Sequence, residues 1–81
     1  MLSPSQCVIA EERIRDLEEC FDSLPEHYRE VITLSRIARL GRSQVADRMG
    51  RSEGSVRNLL TRALIELARE LDRRRARAVE P

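Results

Sequence analysis

The chain has 81 residues, of which 41% are hydrophobic and 36% are charged, with a formal net charge of +1. This length allows one small domain and excludes a substrate cleft walled by a second lobe. Only Phe21 and Tyr28 are aromatic, so Leu, Ile, Val and Ala must build the core. With no apolar run long enough to span a membrane and no signal peptide, we expect an all-α, cytoplasmic protein with no membrane contact.

The first predicted element is an amphipathic helix over Ser5 to Asp22, within an N-terminal unit of residues 1–23. Its apolar residues recur at helical spacing, and they are Val8, Ile9, Ile14, Leu17, Cys20 and Phe21. Cys7 and Cys20 form no CxxC pair, and His27 stands alone, so no zinc ligand set can be assembled. We therefore expect no metal and no cofactor, and both cysteines as reduced, buried hydrophobes.

A second helix is predicted to begin at the sequence Ser-Leu-Pro-Glu of residues 23–26. Ser23 can cap it, Pro25 suits its first turn, and Glu26 follows Ser23 by three residues as in a capping box. Its apolar face is expected to contain Tyr28, Val31, Ile32 and Ser35, widened by Leu34 and Ile37. The helix should give way to a turn at residues 39–41.

Residues 42–49 predict a short third helix, followed by a tight turn. Val45, Ala46 and Met49 form an apolar stripe on a helix too short to be stable alone, so it must pack on a neighbour. Gly50 can adopt the left-handed conformation that ends a helix. Ser52 is then expected to cap the next helix, with its hydroxyl accepting from the Ser55 amide, and Glu53 places negative charge at the positive helix end.

The last helix is predicted from Glu53 to about Asp72. One side of it should pack inward, and its residues are Val56, Leu59, Leu60, Ala63, Leu67 and Leu71. The other side presents Arg57, Asn58, Thr61 and Arg62. In DNA-binding proteins, base edges in the major groove are reached by a short helix, a turn and a longer helix, with exposed Arg and Asn near the start of the longer helix.

This helix-turn-helix gives a set of candidate DNA-binding residues. They are Arg42, Arg51, Ser52, Glu53, Ser55, Arg57, Asn58, Thr61 and Arg62. Any one of them alone is better explained as a solvated surface residue, so the prediction depends on their arrangement together. We expect the helix-turn-helix domain to span residues 24–72, and residues 73–81 to form a flexible basic tail.

Charge is distributed unevenly along the chain. Residues 1–40 contain five arginines against eight acidic residues, whereas residues 41–81 contain ten arginines against six, and no lysine occurs. A basic half that holds the candidate reading helix suits an anionic polymer. An acidic half suits solvent or a basic protein surface.

Two segments, LPEHYREVITL and RSQVADRMGRSEGSVRNLLTRAL, resemble the C-terminal promoter-recognition domain, region 4, of extracytoplasmic-function sigma factors in the sigma-70 family. The resemblance runs from Leu24 to Leu71 without a gap. It depends on a Leu-Pro-x-x-Tyr-Arg-Glu-Val opening and a Ser-Glu-Gly-Ser-Val-Arg signature at the start of the last helix. The matching residues are Leu24, Pro25, Tyr28, Arg29, Glu30, Val31, Ser52, Glu53, Gly54, Ser55, Val56, Arg57, Arg62 and Ala63.

The resemblance implies a small four-helix domain, similar to winged-helix DNA-binding proteins but without a wing. It implies that Ser52, Ser55, Arg57, Asn58 and Arg62 approach the upstream, minus-thirty-five promoter element. It also implies docking on the beta-subunit flap of RNA polymerase, a monomeric state, and sequestration by an anti-sigma factor in many members. The polymerase-binding N-terminal domain of a complete sigma factor is absent, so we expect an excised domain or a small protein built on this module.

The chain departs from the family pattern at several positions. Gly41 stands where a capping Ser is common, Arg48 and Arg51 replace aliphatic residues, and Leu64 and Ile65 replace a frequent basic pair. Ile65 should project opposite Val56, away from the core. It is either a contact for another protein or helix, or an isolated exposed aliphatic residue.

Two other functions remain open. A helix-turn-helix of the response-regulator type shares the Ser-Glu-x-Ser-Val start, although such domains dimerise on two half-sites. A helical module could instead bind a protein through the acidic first helix and Ile65, without DNA. Salt dependence separates DNA binding from protein binding. The affinity of a DNA binder should fall as the salt concentration rises, with a log-log slope of roughly −3 to −6.

Catalysis is the least favoured function. The chain has one His, no paired nucleophile and no phosphate-cradling glycine loop. Gly50 and Gly54 are explained by the turn and by helix packing. We therefore predict that the protein is not an enzyme.

Overall fold

The computed structural model describes the backbone of residues 4–79 and the side chains of residues 11–77. Four α-helices follow in order: α1 (Pro4–Asp22), α2 (Glu26–Ile32), α3 (Arg42–Met49) and α4 (Glu53–Val79). A π-helical stretch, Thr33–Ile37, continues α2 and is called the π segment below. Within residues 4–79 there is no strand, so the predicted all-α, four-helix fold is confirmed. No described helix is long and apolar enough to cross a membrane.

The core lies where α2 and α3 pack on the first half of α4. Val31, Val45 and Val56, one from each helix, are completely buried at its centre. Leu24, Ile32, Ala46, Leu59 and Ala63 complete the buried cluster. Short β-branched and alanine side chains let the three helices approach closely, and their burial stabilises helices that would be marginal alone. This packing fixes the angle between α3 and α4.

Helix α1 covers the core only with its last turns. Cys20 is fully buried and Phe21 packs on the core, but Ile14 and Leu17 are 56% and 43% exposed. The predicted apolar face of this helix is therefore only partly covered. Val8, Ile9 and Cys7 lie outside the residues whose side chains are described.

The expected capping box of the second helix does not form. Pro25 is the N-cap of α2, with no side-chain cap, and the Ser23 hydroxyl instead donates to the Cys20 carbonyl at 2.7 Å. A serine hydroxyl can satisfy either helix end, and here the C-terminal carbonyls of α1 are the nearer acceptors. The Pro25 carbonyl accepts from the amides of Tyr28 and Arg29 at 3.0 and 3.1 Å.

The end of the second helix also differs from the expected simple turn. In the π segment the Ala38 amide donates to the Thr33 carbonyl at 2.8 Å, and the Leu40 amide donates to the Leu34 carbonyl at 3.0 Å. Arg39 has a φ of 57°, in the left-handed region. The wide turn leaves Ile37 68% exposed, so this residue does not extend the buried face as predicted.

Helix α4 extends beyond its predicted end near Asp72 and continues to Val79. Arginine and alanine favour helix, and Glu70 forms ion pairs with Arg73 and Arg74 at 2.6 and 3.8 Å. Arg74 also reaches Glu19 on α1 at 2.5 Å. The basic segment is therefore helical as far as Val79 rather than a separate irregular tail, and its flexibility stays a prediction.

Candidate nucleic-acid interface

The turn between α3 and α4 is closed by backbone hydrogen bonds. Gly50 has a φ of 65°, and its amide and that of Arg51 both point to the Ala46 carbonyl, the latter at 3.0 Å. A residue with a Cβ is strained in this left-handed conformation, and glycine is not. The predicted role of Gly50 is confirmed.

The predicted cap of α4 is also confirmed. The Ser55 amide donates to the Ser52 hydroxyl oxygen at 3.1 Å, so one unpaired amide of the first turn is satisfied. Arg51 Nη1 donates to the Ser55 hydroxyl at 3.3 Å, across the start of the helix. Gly54 differs from expectation, because no atom lies within 4 Å of the position a Cβ would occupy. Close helix packing therefore does not explain this glycine.

Helix α3 begins with half of a capping box. The Gly41 amide donates to Gln44 Oε1 at 3.0 Å, while glycine has no hydroxyl to return the bond. A serine, which is common at this position in the family that the sequence resembles, would supply a hydroxyl oxygen to accept from the Gln44 amide. Gly41 is extended, with φ −68° and ψ 159°, so the position does not require glycine.

The outward side of α4 matches the prediction. Arg57, Asn58, Thr61 and Arg62 are all exposed, opposite the buried Val56. The Thr61 hydroxyl donates to the Arg57 carbonyl at 3.0 Å, so it keeps only acceptor capacity for a ligand. Ile65 is 46% exposed on this side, as predicted from its position opposite Val56.

The other candidates lie around the same helix start. Arg42, Arg51, Ser52 and Glu53 are exposed, and Ser55 is half-buried. The structure brings six of the nine residues into two groups. Arg42, Arg57 and Thr61 line one shallow depression. Arg51 and Ser52 are both hydrogen-bonded to Ser55 at the first turn of α4.

Sequence reasoning missed two residues beside this site. Ser35 and Arg36, in the π segment, line the same depression as Arg42 and Arg57. No signal in the sequence identifies them, because their position depends on the wide π turn.

Charge pairing involves only some of the arginines of the described residues. Three on the second half of α4 are paired with acids: Arg69 with Glu66 at 3.1 Å, and Arg73 and Arg74 with Glu70. The candidate set contains four arginines, Arg42, Arg51, Arg57 and Arg62. None of them forms a salt bridge among residues 11–77. Their positive charge is therefore available to an anionic partner.

Three pKa shifts occur away from the candidate site. The hydrogen bond between Arg73 and Glu70 lowers the pKa of the Glu70 carboxyl and raises the pKa of the Arg73 guanidinium. Burial raises the pKa of the Cys20 thiol, an effect that Arg74 partly opposes. Within the described residues, no group of three or more His, Cys, Asp and Glu side chains could hold a metal ion.

The comparison with known families agrees with this geometry. The family model Sigma-70, region 4 matches residues 14–67, which is more than half of the chain. The match begins inside α1 and includes α2, the π segment, α3 and the first half of α4. No curated protein matches the chain significantly. The chain therefore belongs to the Sigma-70, region 4 family, the non-catalytic DNA-binding domains of sigma factors that recognise promoter DNA in transcription initiation.

Proposed function

We propose that this chain recognises the upstream, minus-thirty-five promoter element within RNA polymerase holoenzyme, as a region 4 domain of the extracytoplasmic-function type. The observation that carries the proposal is the outward side of α4, which is exposed and whose arginines form no salt bridge among residues 11–77. The Gly50 turn precedes this helix, and Ser52 caps it. A helix presented in this way can enter the major groove with its N-terminal turns. Residues 24–72 form the DNA-binding unit in this proposal.

The chemistry of the outward side suits base edges. Arg62 can donate two hydrogen bonds to guanine, and Asn58 can pair with both exposed groups of adenine. Glu53 can accept from the amino group of cytosine. Arg51 is already hydrogen-bonded to Ser55, so its preorganised guanidinium suits a phosphate beside the helix start.

The polymerase is expected to bind a different face. Leu17, Phe21, Ile37 and Leu67 line a groove of about 390 Å³ between α1, the π segment and α4, called the α1 groove. Leu67 lies on the core side of α4, roughly opposite the outward residues at 100° per residue. A monomer could therefore contact DNA and the polymerase beta-subunit flap at once. An anti-sigma factor would compete for either face, and all these partners are cytoplasmic in the proposal.

The test starts by selecting the preferred site from randomised duplexes, because the promoter sequence is not encoded in the fold. Amide chemical shifts are then followed during titration with the selected duplex. Salt-sensitive shifts should cluster at Ser52 to Arg62. Asn58→Ala and Arg62→Ala should each cost about 1–3 kcal/mol of binding free energy, and each should relax the preference at one base pair.

Arg69→Ala is the matched control, because it also removes one positive charge from α4 but disrupts a pair with Glu66 instead. Wild-type affinity after both Asn58→Ala and Arg62→Ala would contradict base reading. Shifts confined to the α1 groove, with none at the helix start, would favour the protein-interaction module. Two copies of the chain per duplex would favour the response-regulator type.

A further inference from the structure

Helix α1 is attached to the rest of the domain by a small area near its C-terminal end. The side chains of residues 11–15 are all exposed, Asp16 is half-buried, and Cys20 is completely buried. Cys20 lies outside the buried core cluster, and among the described side chains of α1 Phe21 alone packs against that cluster. Because little apolar surface holds α1, its release costs less free energy than unfolding of the core.

An ion pair joins α1 to the second half of α4. Arg74 Nη1 donates to Glu19 Oε2 at 2.5 Å, and among residues 11–77 no other salt bridge connects α1 with another helix. The two side chains are 30% and 52% exposed, so water and salt weaken the pair. Arg74 Nε is buried without a hydrogen-bond partner among the described residues, and it would regain water if α1 moved away. The closed position of α1 is therefore held by a weak, salt-sensitive contact.

The connection between α1 and α2 provides a hinge. Within the described residues Ser23 donates only to carbonyls of α1, so its hydrogen bonds would move with that helix. Leu24, the next residue, is buried in the core cluster and would stay in place. The Leu24 amide donates to the Phe21 carbonyl at 3.1 Å across this point. Arg29 Nη1 also donates across it, to the Asp22 carbonyl at 3.3 Å. Bending here would break these two bonds and leave both helices intact.

Movement of α1 would dismantle the α1 groove. Leu17 and Phe21 supply the wall that belongs to α1, whereas Ile37 and Leu67 belong to the π segment and to α4. The outward side of α4 depends instead on the packing of α2 and α3 against that helix. Opening would thus remove the groove and keep the outward side in position.

We infer that α1 opens about this hinge as one unit, without unfolding of the core, and that the pair of Glu19 and Arg74 biases it toward the closed position. The opening itself requires no partner. Its consequence rests on the proposed function: the polymerase docks on the closed chain alone, while Asn58 and Arg62 stay available to DNA in both positions. A protein that fills the α1 groove would hold α1 closed, and high salt would favour opening.

The thiol of Cys20 can report this opening, because it is buried while α1 is closed. The test uses the full chain with Cys7→Ser, and mass spectrometry follows the rate of alkylation at urea concentrations below the unfolding transition. Release of α1 exposes less surface than complete unfolding does, so the labelling rate should depend only weakly on urea. At low urea, labelling should be at least about tenfold faster than global unfolding permits.

A core variant separates local from global opening. Val45 is fully buried and lies on α3. Val45→Ala should raise the equilibrium constant of global unfolding about tenfold, measured in urea by circular dichroism. The alkylation rate of Cys20 without urea should nevertheless stay unchanged, because the opening of α1 does not include the core.

Charge variants test the ion pair. Glu19→Gln and Arg74→Gln should each speed alkylation about two- to fivefold, and the double variant should be no faster than the faster single variant. Salt at about 0.5 M should have a similar effect on the wild type. Glu18→Gln is the matched control, because it makes the same change one residue away and Glu18 forms no salt bridge among residues 11–77. It should leave the rate unchanged.

Each outcome bears on one part of the inference. Labelling that follows global unfolding at every urea concentration, or that Val45→Ala speeds about tenfold, would overturn the hinged opening. Equal rates for Glu19→Gln and Glu18→Gln would overturn the role of the ion pair. These measurements contain neither DNA nor polymerase, so they are independent of the proposed function. Glu19→Gln should also bind the selected duplex no more weakly than the wild type, and a loss of affinity would contradict the separation of the two faces.

Discussion

Replacing Gly50 with alanine should destabilise the chain by about 1 kcal/mol, through backbone conformation alone. At φ 65° a residue with a Cβ is strained by about 1–2 kcal/mol. Alanine also restricts the unfolded chain, which returns about 0.4–1 kcal/mol. No atom lies within 4 Å of the added methyl group, so no clash contributes.

Gly54→Ala is the matched control for this prediction. It makes the same chemical change four residues away, again with no atom within 4 Å, but inside α4 and without a positive φ. Alanine favours helix over glycine by about 0.5–1 kcal/mol, so this variant should be more stable than the wild type. The same methyl group should therefore have opposite effects at the two positions.

Thermal unfolding followed by far-ultraviolet circular dichroism measures both variants. In a domain of this size, 1 kcal/mol corresponds to a change in Tm of about 4–8 °C, downward for Gly50→Ala and upward for Gly54→Ala. Gly50→Asn should fall between the wild type and Gly50→Ala, because asparagine tolerates the left-handed region better than alanine. A Gly50→Ala chain as stable as the wild type would refute the backbone argument.

The core and the ion pairs lead to three further expected outcomes. Val31→Ala removes two methyl groups from a fully buried position and should lower the free energy of unfolding by about 1–3 kcal/mol in urea, whereas a change within about 0.5 kcal/mol would contradict its central place. In a Cys7→Ser background, the buried Cys20 thiol, whose pKa is raised, should react with an alkylating reagent far more slowly in folded than in urea-unfolded protein; equal rates would contradict its burial. Because Arg73 lowers the pKa of Glu70, this carboxylate stabilises the fold above its ordinary titration range and loses that contribution as the pH falls through the lowered value. Glu70→Gln should thus reduce the acid dependence of stability in urea titrations at several pH values, and an unchanged dependence would count against the pair.

The features that were predictable from the sequence depend on short-range chemistry. The left-handed Gly50 and the Ser52 cap with its Ser55 partner each involve groups within a few residues, so residue type and spacing suffice to identify them. The outward side of α4 is predictable from helical periodicity in the same way. These local signals account for most of the candidate interface.

The features that were missed depend on which neighbour supplies a partner. Ser23 could cap the following helix or satisfy the preceding one, and only the packed chain shows that it bonds to the Cys20 carbonyl. Periodicity likewise identifies Ile14 and Leu17 as one face of α1 without showing how little covers them. The π segment has no pattern of its own, so the position of Arg36 was not predictable.

The unbroken course of α4 couples two parts of the molecule mechanically. Arg62, on the outward side, and Arg77, in the last described turns, lie on one continuous helix, about 22 Å apart along its axis. A tilt of about 10° imposed at one end would displace the other by about 4 Å, more than the length of a hydrogen bond. In the proposed DNA complex, a protein bound to the far half of this helix would therefore shift Asn58 and Arg62 relative to the bases without contacting DNA itself.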